Sequence, residues 1–360
     1  MKIIDVRAYG IQTPVTTSFN WRKGLPGSGA VREQGILRII TDEGIEGIAV
    51  TQRAGMTVDY VQRRLKGMLI GKDPLLKEKL WHEIWEMDRL EEFQIMYMGL
   101  VDMALWDITA KKAGMPLYQL IGGNSDRVQA YASTVTYDTT EQFLQVADAC
   151  IERGYRAIKL HAWGDARKDA KLCQDLRNHV GEEIILMYDG SAGFNLQEAI
   201  YLGKALEEAD YHWYEEPMRE FSIWNYKKLC DELTIPILAA ETSDGCHYNA
   251  ADFIVQGACD MIRTGTLLKG GITGSLRIAH LADSFGMKAE IHGGDQANVQ
   301  LACGIPNNSF FEVLVWGKGD SIGFGYPDVD RDGYISAPQG PGIGYTFDWE
   351  EIEREANVQC

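Results

Sequence analysis

The sequence has few basic residues for its length and no long apolar segment. Its 360 residues include 35 Lys and Arg against 52 Asp and Glu, which gives a formal charge of −17. Nothing in it resembles a Lys/Arg stripe that could neutralise phosphates, so we expect no nucleic-acid partner. No apolar run reaches the roughly 18 residues of a membrane-spanning helix, and residues 1–5 alternate like a strand instead of opening a signal peptide. We therefore expect a cytoplasmic protein without a membrane partner.

Cysteine is present, but without any pattern that would give it a metal or redox role. The seven cysteines are dispersed along the chain, are odd in number and never form a C-x-x-C pair. Reduced thiols are the interpretation that fits this distribution. The sequence therefore excludes a zinc ribbon and a dithiol redox motif.

From residue 127 onward, a strand–helix unit repeats. Short apolar, strand-like runs start 22 to 30 residues apart, and most gaps between them carry a helical pattern. Runs such as 184–188 are apolar on both faces, as a parallel sheet covered by helices requires. Eight runs over about 190 residues predict an α/β fold, a (β/α)-barrel or modified TIM barrel, rather than an open doubly wound sheet. The predicted strands are 127–134, 157–162, 184–190, 211–216, 235–242, 259–264, 288–293 and 310–316.

Residues 1–126 do not follow this repeat and predict an α+β capping domain in front of the barrel, which occupies 127–316. The segment 41–44, Thr-Asp-Glu-Gly, lies between two apolar runs and indicates a hairpin. The loop-rich segment 317–360 is expected to return to the capping domain. The strand-like runs before the barrel are 2–11, 37–40 and 45–50, and the helical ones are about 57–70, 76–89 and 97–113.

A loop of about 20 residues, at about 13–32, is rich in Gly, Ser, Thr and Pro. Loops of this length inside a compact domain are often active-site lids. We therefore expect Trp21, Arg22 and Lys23 in this lid, together with Arg53, to contact substrate. A solvated surface loop with a few charges is the alternative interpretation.

Three acidic residues follow successive barrel strands at a constant spacing. Asp189, Glu215 and Glu241 are 26 residues apart, one strand–helix unit each. Because the active site of a (β/α)-barrel lies at the carboxyl ends of its strands, the three carboxylates should converge there. Clustered carboxylates repel unless a cation compensates them, and oxygen ligands suit Mg²⁺ first and Mn²⁺ second. The spacing therefore predicts a metal site, with scattered surface acids as the alternative.

Three basic side chains are candidates for proton transfer at the same end of the barrel. Lys159 and His161 are two residues apart on the second predicted strand, so both point to the same side. His292 follows the seventh strand and would lie across the barrel mouth. In the alternative interpretation, Lys159 only pairs with the carboxylates and His161 only fills the mouth.

At these residues the sequence resembles the enolase superfamily, in its mandelate racemase and muconate lactonizing enzyme branch, over essentially the whole chain. Asp189, Glu215 and Glu241 match the three Mg²⁺ ligands of that family. Residues 99–108, GLVDMALWDI, match a helix motif of its capping domain. Residues 270–273, Gly-Gly-Ile-Thr, match the turn after its sixth barrel strand.

The resemblance implies a shared first chemical step. One Mg²⁺ per subunit, or Mn²⁺ in its place, binds a small-molecule carboxylate substrate, a base removes the α-proton, and the metal stabilises the enediolate. Lys159 stands at the first charged position of the family's Lys-x-Lys motif, and His161 stands at the second. Glu312 matches an acid that in mandelate racemase can hydrogen-bond the substrate carboxylate. The resemblance also implies a homo-oligomer.

Gly265 departs from the family pattern. Members similar to mandelate racemase have Asp at this position, which orients the catalytic His, and other members have Lys. Without that carboxylate, we expect His292 to be less basic and better suited to donating a proton than to abstracting one. Racemisation or epimerisation needs two bases of comparable strength, so this departure disfavours both.

The sequence therefore favours β-elimination of water from a sugar acid, an aldonate or aldarate, to give a 2-keto-3-deoxy acid. Lys159 or His161 would take the α-proton, and His292 would protonate the departing hydroxyl. The alternative is a cycloisomerase of an aldaronolactone or an anhydro-sugar acid, which needs the same proton transfers. A catalytically silent protein of this fold is a further alternative, which Gly265 permits and the intact carboxylate set opposes.

Overall fold

A computed structural model of the chain describes residues 1–15, 18–91, 95–317, 320–321 and 329–360. Within these ranges, none of the helices is both long enough and apolar enough to cross a lipid bilayer. The chain first forms three antiparallel strands and a group of helices, and then alternates strands with helices around a barrel. Its last strand returns to the first sheet and makes it four-stranded.

The N-terminal sheet has the strand order β14-β1-β2-β3. Strands β1 and β2 pair as far as Pro14 and Val31, so the connecting loop is shorter than the predicted 13–32. The continuing backbone pairing extends both strands into the Gly- and Ser-rich stretch. The strands of this sheet are β1 (Ile3–Pro14), β2 (Val31–Thr41), β3 (Glu46–Thr51) and β14 (Val358–Gln359).

The helices that follow pack against this sheet through a buried apolar face. The longest of them, Met96–Ala113, ends at Gly114, whose φ of 70° only glycine adopts readily. Asp107 on this helix is buried and accepts hydrogen bonds from the backbone N–H groups of Ile48 and Ile343, so it joins the sheet to the C-terminal segment. The helices here are α1 (Ala54–Tyr60), a π-helical turn (Val61–Leu65), α2 (Lys66–Leu69), α3 (Lys77–Glu91), α4 (Met96–Ala113) and α5 (Leu117–Leu120).

Eight parallel strands form the barrel, as predicted, in the order β10-β9-β8-β7-β6-β5-β4-β11. Each of them lies within or close to its predicted run, although β7 and β8 are only two and three residues long. Tyr131, Trp213 and Phe310 fill the interior in edge-to-face contacts. The strands are β4 (Arg127–Thr134), β5 (Ala157–His161), β6 (Ile185–Asp189), β7 (Tyr214–Glu215), β8 (Ile237–Ala239), β9 (Met261–Thr264), β10 (Lys288–Ile291) and β11 (Phe310–Trp316).

Five of the seven helices between these strands begin at a side-chain cap, and the other two, which start at Cys246 and Gly271, follow a glycine. Thr139, Asp165, Asn195, Ser222 and Asp295 each accept hydrogen bonds from the first turn through the side chain, which satisfies N–H groups without intrahelical partners. The helices are α6 (Thr140–Glu152), α7 (Ala166–Val180), α8 (Leu196–Glu208), α9 (Ile223–Glu232), α10 (Cys246–Gln256), α11 (Gly271–Ser284) and α12 (Gln296–Gly304).

No β-ladder joins β10 and β11 in the described part of the chain. The barrel closes there through side chains and through one backbone hydrogen bond, from Ala289 N–H to the Asn307 carbonyl oxygen at 2.9 Å. The Glu290 carboxylate accepts from the N–H groups of residues 309–310, and the Asn308 side chain accepts from Ile291 N–H at 3.1 Å. The Glu312 carboxylate accepts from Gly293 N–H at 2.9 Å. We call this junction the side-chain seam.

After β11 the chain runs back along the barrel toward the N-terminal sheet. A short parallel bridge joins Gly342 to Pro116, and the last strand, β14, pairs with β1. The domain boundaries at 126/127 and 316/317 stay a prediction. The elements of this segment are β12 (Asp320–Ser321), β13 (Tyr334–Ser336) and α13 (Trp349–Glu355).

Candidate active site

The predicted polar residues meet at the carboxyl ends of the barrel strands. His161, Asp189 and Glu215 end strands β5, β6 and β7, and they lie side by side in the parallel register. Glu241 follows β8 by two residues, and His292 follows β10 directly. Lys159 and Glu312 lie one layer deeper, on β5 and β11.

Lys159 binds carboxylates from three strands. Its Nζ lies 3.1 Å from Asp189 Oδ2, 2.8 Å from Glu215 Oε2 and 2.9 Å from Glu312 Oε1. Burial acts to lower the pKa of Lys159, but Glu215 and Glu312 raise it well above its ordinary value. The ammonium form is therefore the stable one.

A second buried cation, Arg263, lies on β9. Its Nε is 2.6 Å from Glu215 Oε1, and its Nη2 donates to Tyr131 Oη at 2.7 Å. The same guanidinium is 3.6 Å from Glu312 and 3.8 Å from Glu241. Arg263 was not among the predicted site residues, although an arginine directly after the apolar residues Met261 and Ile262, near the carboxyl end of a barrel strand, was the available signal.

The side chains at this end of the barrel carry an excess of negative charge, which favours binding of a divalent cation. Four carboxylates, those of Asp189, Glu215, Glu241 and Glu312, contact the two fixed cations Lys159 and Arg263. These two cations leave two negative charges uncompensated, or one while the nearby His292 imidazole is protonated, and such an excess of negative charge favours a bound cation. Oxygen donors are also those that such hard cations prefer.

Two buried atoms of the site lack hydrogen bonds, which further fits a metal. Glu241 Oε2 and His292 Nδ1 are 3.2 Å apart, yet neither has an aligned hydrogen-bond partner in the described structure. Donor atoms of Glu215, Glu241 and His292 lie within 4.8 Å of one another. Asp189 lies outside this group of three, and its Oδ2 contacts Lys159 and His161. The predicted ligand set Asp189, Glu215 and Glu241 stays a prediction.

The environment of His292 differs from the one expected from Gly265. Its Nδ1 is 3.2 Å from Glu241 Oε2 and 3.3 Å from Glu312 Oε2. Burial acts to lower the pKa of His292, but these two carboxylates raise it to about 10. The prediction of a less basic His292 was therefore wrong, because carboxylates of other strands supply the negative charge. A Cβ at position 265 would lie 2.9 Å from the His292 carbonyl oxygen, so a side chain there requires a backbone shift.

His161 is held in one orientation from three sides. Its Nδ1 lies 2.6 Å from the Thr134 carbonyl oxygen and donates to it, which directs Nε2 toward Asp189 Oδ2 at 3.1 Å. The indole of Trp21 packs on the imidazole, with ring centroids 4.7 Å apart. His161 and His292 thus lie on different sides of the carboxylate cluster, with unlike partners.

The loop between β1 and β2 covers this end of the barrel. Besides the Trp21 contact, Arg22 Nε donates to the Ser191 carbonyl oxygen at 2.9 Å, and Lys23 N–H donates to the Trp163 carbonyl oxygen at 3.2 Å. The structure thus brings Trp21 and Arg22 to the site. In the described ranges, no hydrogen bond or ion pair joins the side chain of Lys23 or Arg53 to the barrel, and Arg53 donates to its neighbour Gln52.

Two family models match the chain. Residues 142–352 match the model described as "Enolase C-terminal domain-like", and residues 23–122 match "Mandelate racemase / muconate lactonizing enzyme, N-terminal domain". The first match alone spans more than half of the chain.

Individual relatives are similar over nearly the full length. A structure of D-glucarate dehydratase from Agrobacterium tumefaciens complexed with magnesium has a TM-score of 0.90 and 33% identity, and the match covers 99% of this chain and 100% of that one. The 3,6-anhydro-alpha-L-galactonate cycloisomerase of Streptomyces coelicolor is 28% identical, over 89% of this chain and 90% of that protein. The D-gluconate dehydratase of Thermoproteus tenax is 26% identical, over 89% of this chain and 69% of that protein.

Proposed function

Because the chain belongs to the enolase superfamily, in its mandelate racemase and muconate lactonizing enzyme branch, we propose that it dehydrates a sugar acid. The observation that carries this proposal is the pair of unlike histidines on either side of one carboxylate cluster. His161 has a backbone carbonyl partner on Nδ1, whereas His292 faces two carboxylates. A base on one side and an acid on the other are what β-elimination requires.

Asp189, Glu215 and Glu241 would hold one Mg²⁺ per subunit, and Mn²⁺ would bind the same oxygen donors. When bound, the ion supplies Lewis-acid stabilisation of the charge that develops on the substrate carboxylate as the α-proton leaves. Lys159 and Arg263 hold the Glu215 carboxylate from both of its oxygens. The ligand is thus fixed in one orientation before any ion binds.

His161 is the better candidate for the base. Lys159 contacts three carboxylates, which hold its proton, whereas His161 contacts only one, that of Asp189, through Nε2. With Nδ1 bonded to the Thr134 carbonyl oxygen, Nε2 is the ring nitrogen that would take the α-proton. The pair of electrons from the broken C–H bond forms the double bond as the β-hydroxyl leaves. His292 would donate the proton with which that hydroxyl departs as water. Tautomerisation of the enol then gives a 2-keto-3-deoxy acid.

A polyhydroxylated acid is the substrate class that the surroundings favour. The lid places the indole of Trp21 and the guanidinium of Arg22 beside the carboxylate cluster, with loops at Gly164 and Ser191 against the Arg22 side chain. An aromatic face and a cation at the mouth suit hydroxyl groups and an anionic end. Lys23 and Arg53 remain proposed contacts, and Glu312 is proposed to contact the substrate carboxylate.

The test is a screen of aldonates, aldarates and their lactones with Mg²⁺, followed by an assay for 2-keto acids. We expect keto acid from at least one open-chain acid. Formation of keto acid from lactones or anhydro-sugar acids alone would instead establish the second candidate, a cycloisomerase, which the name of the Streptomyces coelicolor relative favours. Formation of an epimer, with exchange of the α-proton in both epimers, would indicate a racemase or epimerase.

Exchange of the substrate α-proton in D₂O distinguishes any of these enzymes from a catalytically silent protein. Exchange needs only the base and the metal, so it should occur with acids that are turned over slowly. No exchange across a broad library would contradict the proposed chemistry. We also propose a homo-oligomer, which light scattering of the purified chain tests.

A further inference from the structure

The loop that carries Glu241 has a strained backbone. Residues 240–243 follow β8, and Ala240 has a φ of 72°, in the left-handed region that residues other than Gly, Asn and Asp seldom adopt. Such a conformation is unfavourable and persists only where surrounding contacts hold it. Glu241 is the next residue, so whatever holds this loop also sets the position of its carboxylate.

A buried carboxylate from the neighbouring β7–α9 loop holds these residues. Glu220 is 6% exposed, and its Oε1 accepts from the backbone N–H groups of Ala240 and of Glu241, the latter at 2.9 Å. Its Oε2 accepts from the N–H groups of Thr242 and Ser243, each at 2.8 Å. Thr242 Oγ1 lies 3.2 Å from the same oxygen and is closer to Glu216 Oε1, at 2.7 Å. Four successive N–H groups thus converge on one carboxylate, a concave arrangement that binds anions.

Lys269 holds the other end of the same loop. Its Nζ donates to the Ser243 carbonyl oxygen at 2.7 Å and lies 3.3 Å from Ser243 Oγ. The Lys269 side chain is buried, with 1% of its surface exposed. The loop is therefore held by the Glu220 carboxylate at its N–H groups and by the Lys269 ammonium group at the Ser243 carbonyl oxygen.

We propose that Glu220 is a positioning residue for Glu241 and thereby for the metal ion, and that Lys269 supports the same loop. Both Glu220 oxygens are occupied by N–H donors, so the residue acts through the backbone and not on the substrate. Outer contacts that orient metal ligands are worth about 10–100-fold in metal affinity. This inference rests on the metal-ligand role proposed above for Glu241.

The chain contains a matched control for this arrangement. The Glu207 carboxylate accepts from the N–H groups of Thr234 and Ile235 and from Thr234 Oγ1 at 2.9 Å. It therefore holds the loop that precedes β8 by the same chemistry, at the end of the strand away from the site. Its removal costs backbone hydrogen bonds without reaching the metal ligands.

The experiment is calorimetric titration of the full chain with MgCl₂, in wild type, Glu220→Ala and Glu207→Ala. We expect the Mg²⁺ dissociation constant to rise roughly 10–100-fold in Glu220→Ala and to stay within about threefold of wild type in Glu207→Ala. Raising the Mg²⁺ concentration should restore much of the kcat of Glu220→Ala with little change in KM for the sugar acid. Glu220→Gln, which keeps one acceptor oxygen and the side-chain shape, should fall between wild type and Glu220→Ala.

A wild-type Mg²⁺ dissociation constant in Glu220→Ala would overturn the inference. If that variant does not fold by circular dichroism, the same comparison in Glu220→Gln decides it. Equal weakening in Glu220→Ala and Glu207→Ala would also overturn the inference, because it would show a general loss of loop stability. A wild-type protein that binds no Mg²⁺ would instead contradict the proposed metal site itself, so the two failures are distinguishable.

Discussion

Replacing Lys159 by Met should destabilise the metal-free protein far more than the Mg²⁺-loaded protein. The ammonium group lies 2.8 to 3.1 Å from the carboxylates of Asp189, Glu215 and Glu312, and its side chain is 1% exposed. Met has a similar length but no charge. Three buried carboxylates would therefore lose the one cation that they share.

The expected loss follows from the cost of leaving buried charge unpaired. Removing one partner of a buried ion pair typically costs about 3–5 kcal/mol. Arg263 also contacts Glu215 and Glu312, so part of the negative charge stays compensated and the lower half of that range is the better expectation. For a chain of 360 residues, whose unfolding entropy is about 0.76 kcal/mol/K, we expect a fall in Tm of roughly 4–5 °C without metal. With saturating Mg²⁺, the ion replaces the lost charge and the fall should be less than half as large.

The assay is thermal unfolding followed by circular dichroism, in EDTA and in MgCl₂, for wild type and Lys159→Met. Lys111→Met is the matched control, because Lys111 Nζ also pairs with a buried carboxylate, Asp107 Oδ2, at 2.7 Å, but on helix α4 away from the barrel mouth. Its Tm should fall equally with and without Mg²⁺. If Lys159→Met behaved in the same way, Lys159 would be a packing residue and the charge argument would be refuted.

Five further substitutions test the site and the fold. Glu215→Gln should abolish activity and weaken Mg²⁺ binding measured by calorimetry; an active variant with bound Mg²⁺ would refute the ligand role. His161→Asn and His292→Asn should each lower kcat at least ~10²-fold, and α-proton exchange in D₂O should survive only in His292→Asn. Arg22→Ala should raise KM more than it lowers kcat, and an unchanged KM would remove Arg22 from the substrate contacts. Burial raises the pKa of Asp102 to about 7, so the folded state keeps a proton that the unfolded chain releases near pH 4, and stability is lost as pH rises toward and through 7. Denaturant unfolding from pH 5 to 8 should show this loss, roughly 1–3 kcal/mol, in wild type and not in Asp102→Asn; parallel pH curves would contradict it.

The barrel and its carboxylates were predictable because both follow from a repeat. A parallel strand buried on both faces needs a continuous apolar run, and each strand–helix unit returns the chain to the same end of the barrel. Asp189 and Glu215 therefore come together in the structure at the spacing that the sequence shows, as neighbours in the register. The same regularity placed Lys159 and His161 on one face of β5.

The environment of His292 was not predictable, because it depends on distances across the barrel. In members of the family similar to mandelate racemase, an Asp at position 265 orients the catalytic His, so Gly265 indicated an imidazole without a carboxylate partner. The carboxylates that contact His292 come from Glu241 and Glu312, on other strands. Arg263 was missed for the same reason. Its partners Glu215 and Glu312 lie on other strands, and the sequence does not give the distances between side chains of different strands.

The limits of the lid were also beyond sequence reasoning. The Gly- and Ser-rich composition indicated a loop over about 13–32, but β1 and β2 stay paired as far as Pro14 and Val31. Glycine permits turns without requiring them, so the register of the neighbouring strand decides where a strand ends. Glu220 gave no signal at all, because its role depends on four backbone N–H groups of a loop some 20 residues away.

The side-chain seam between β10 and β11 is a part of the barrel that single substitutions can alter. Strands joined by a full ladder move only as a unit, since every backbone hydrogen bond must be kept. Here Glu290, Asn308 and Glu312 supply the acceptors, and His292 lies at the end of this junction. Single substitutions at such positions can redirect the imidazole while the rest of the cylinder stays intact. One scaffold can in this way acquire new stereochemical outcomes through a few point mutations.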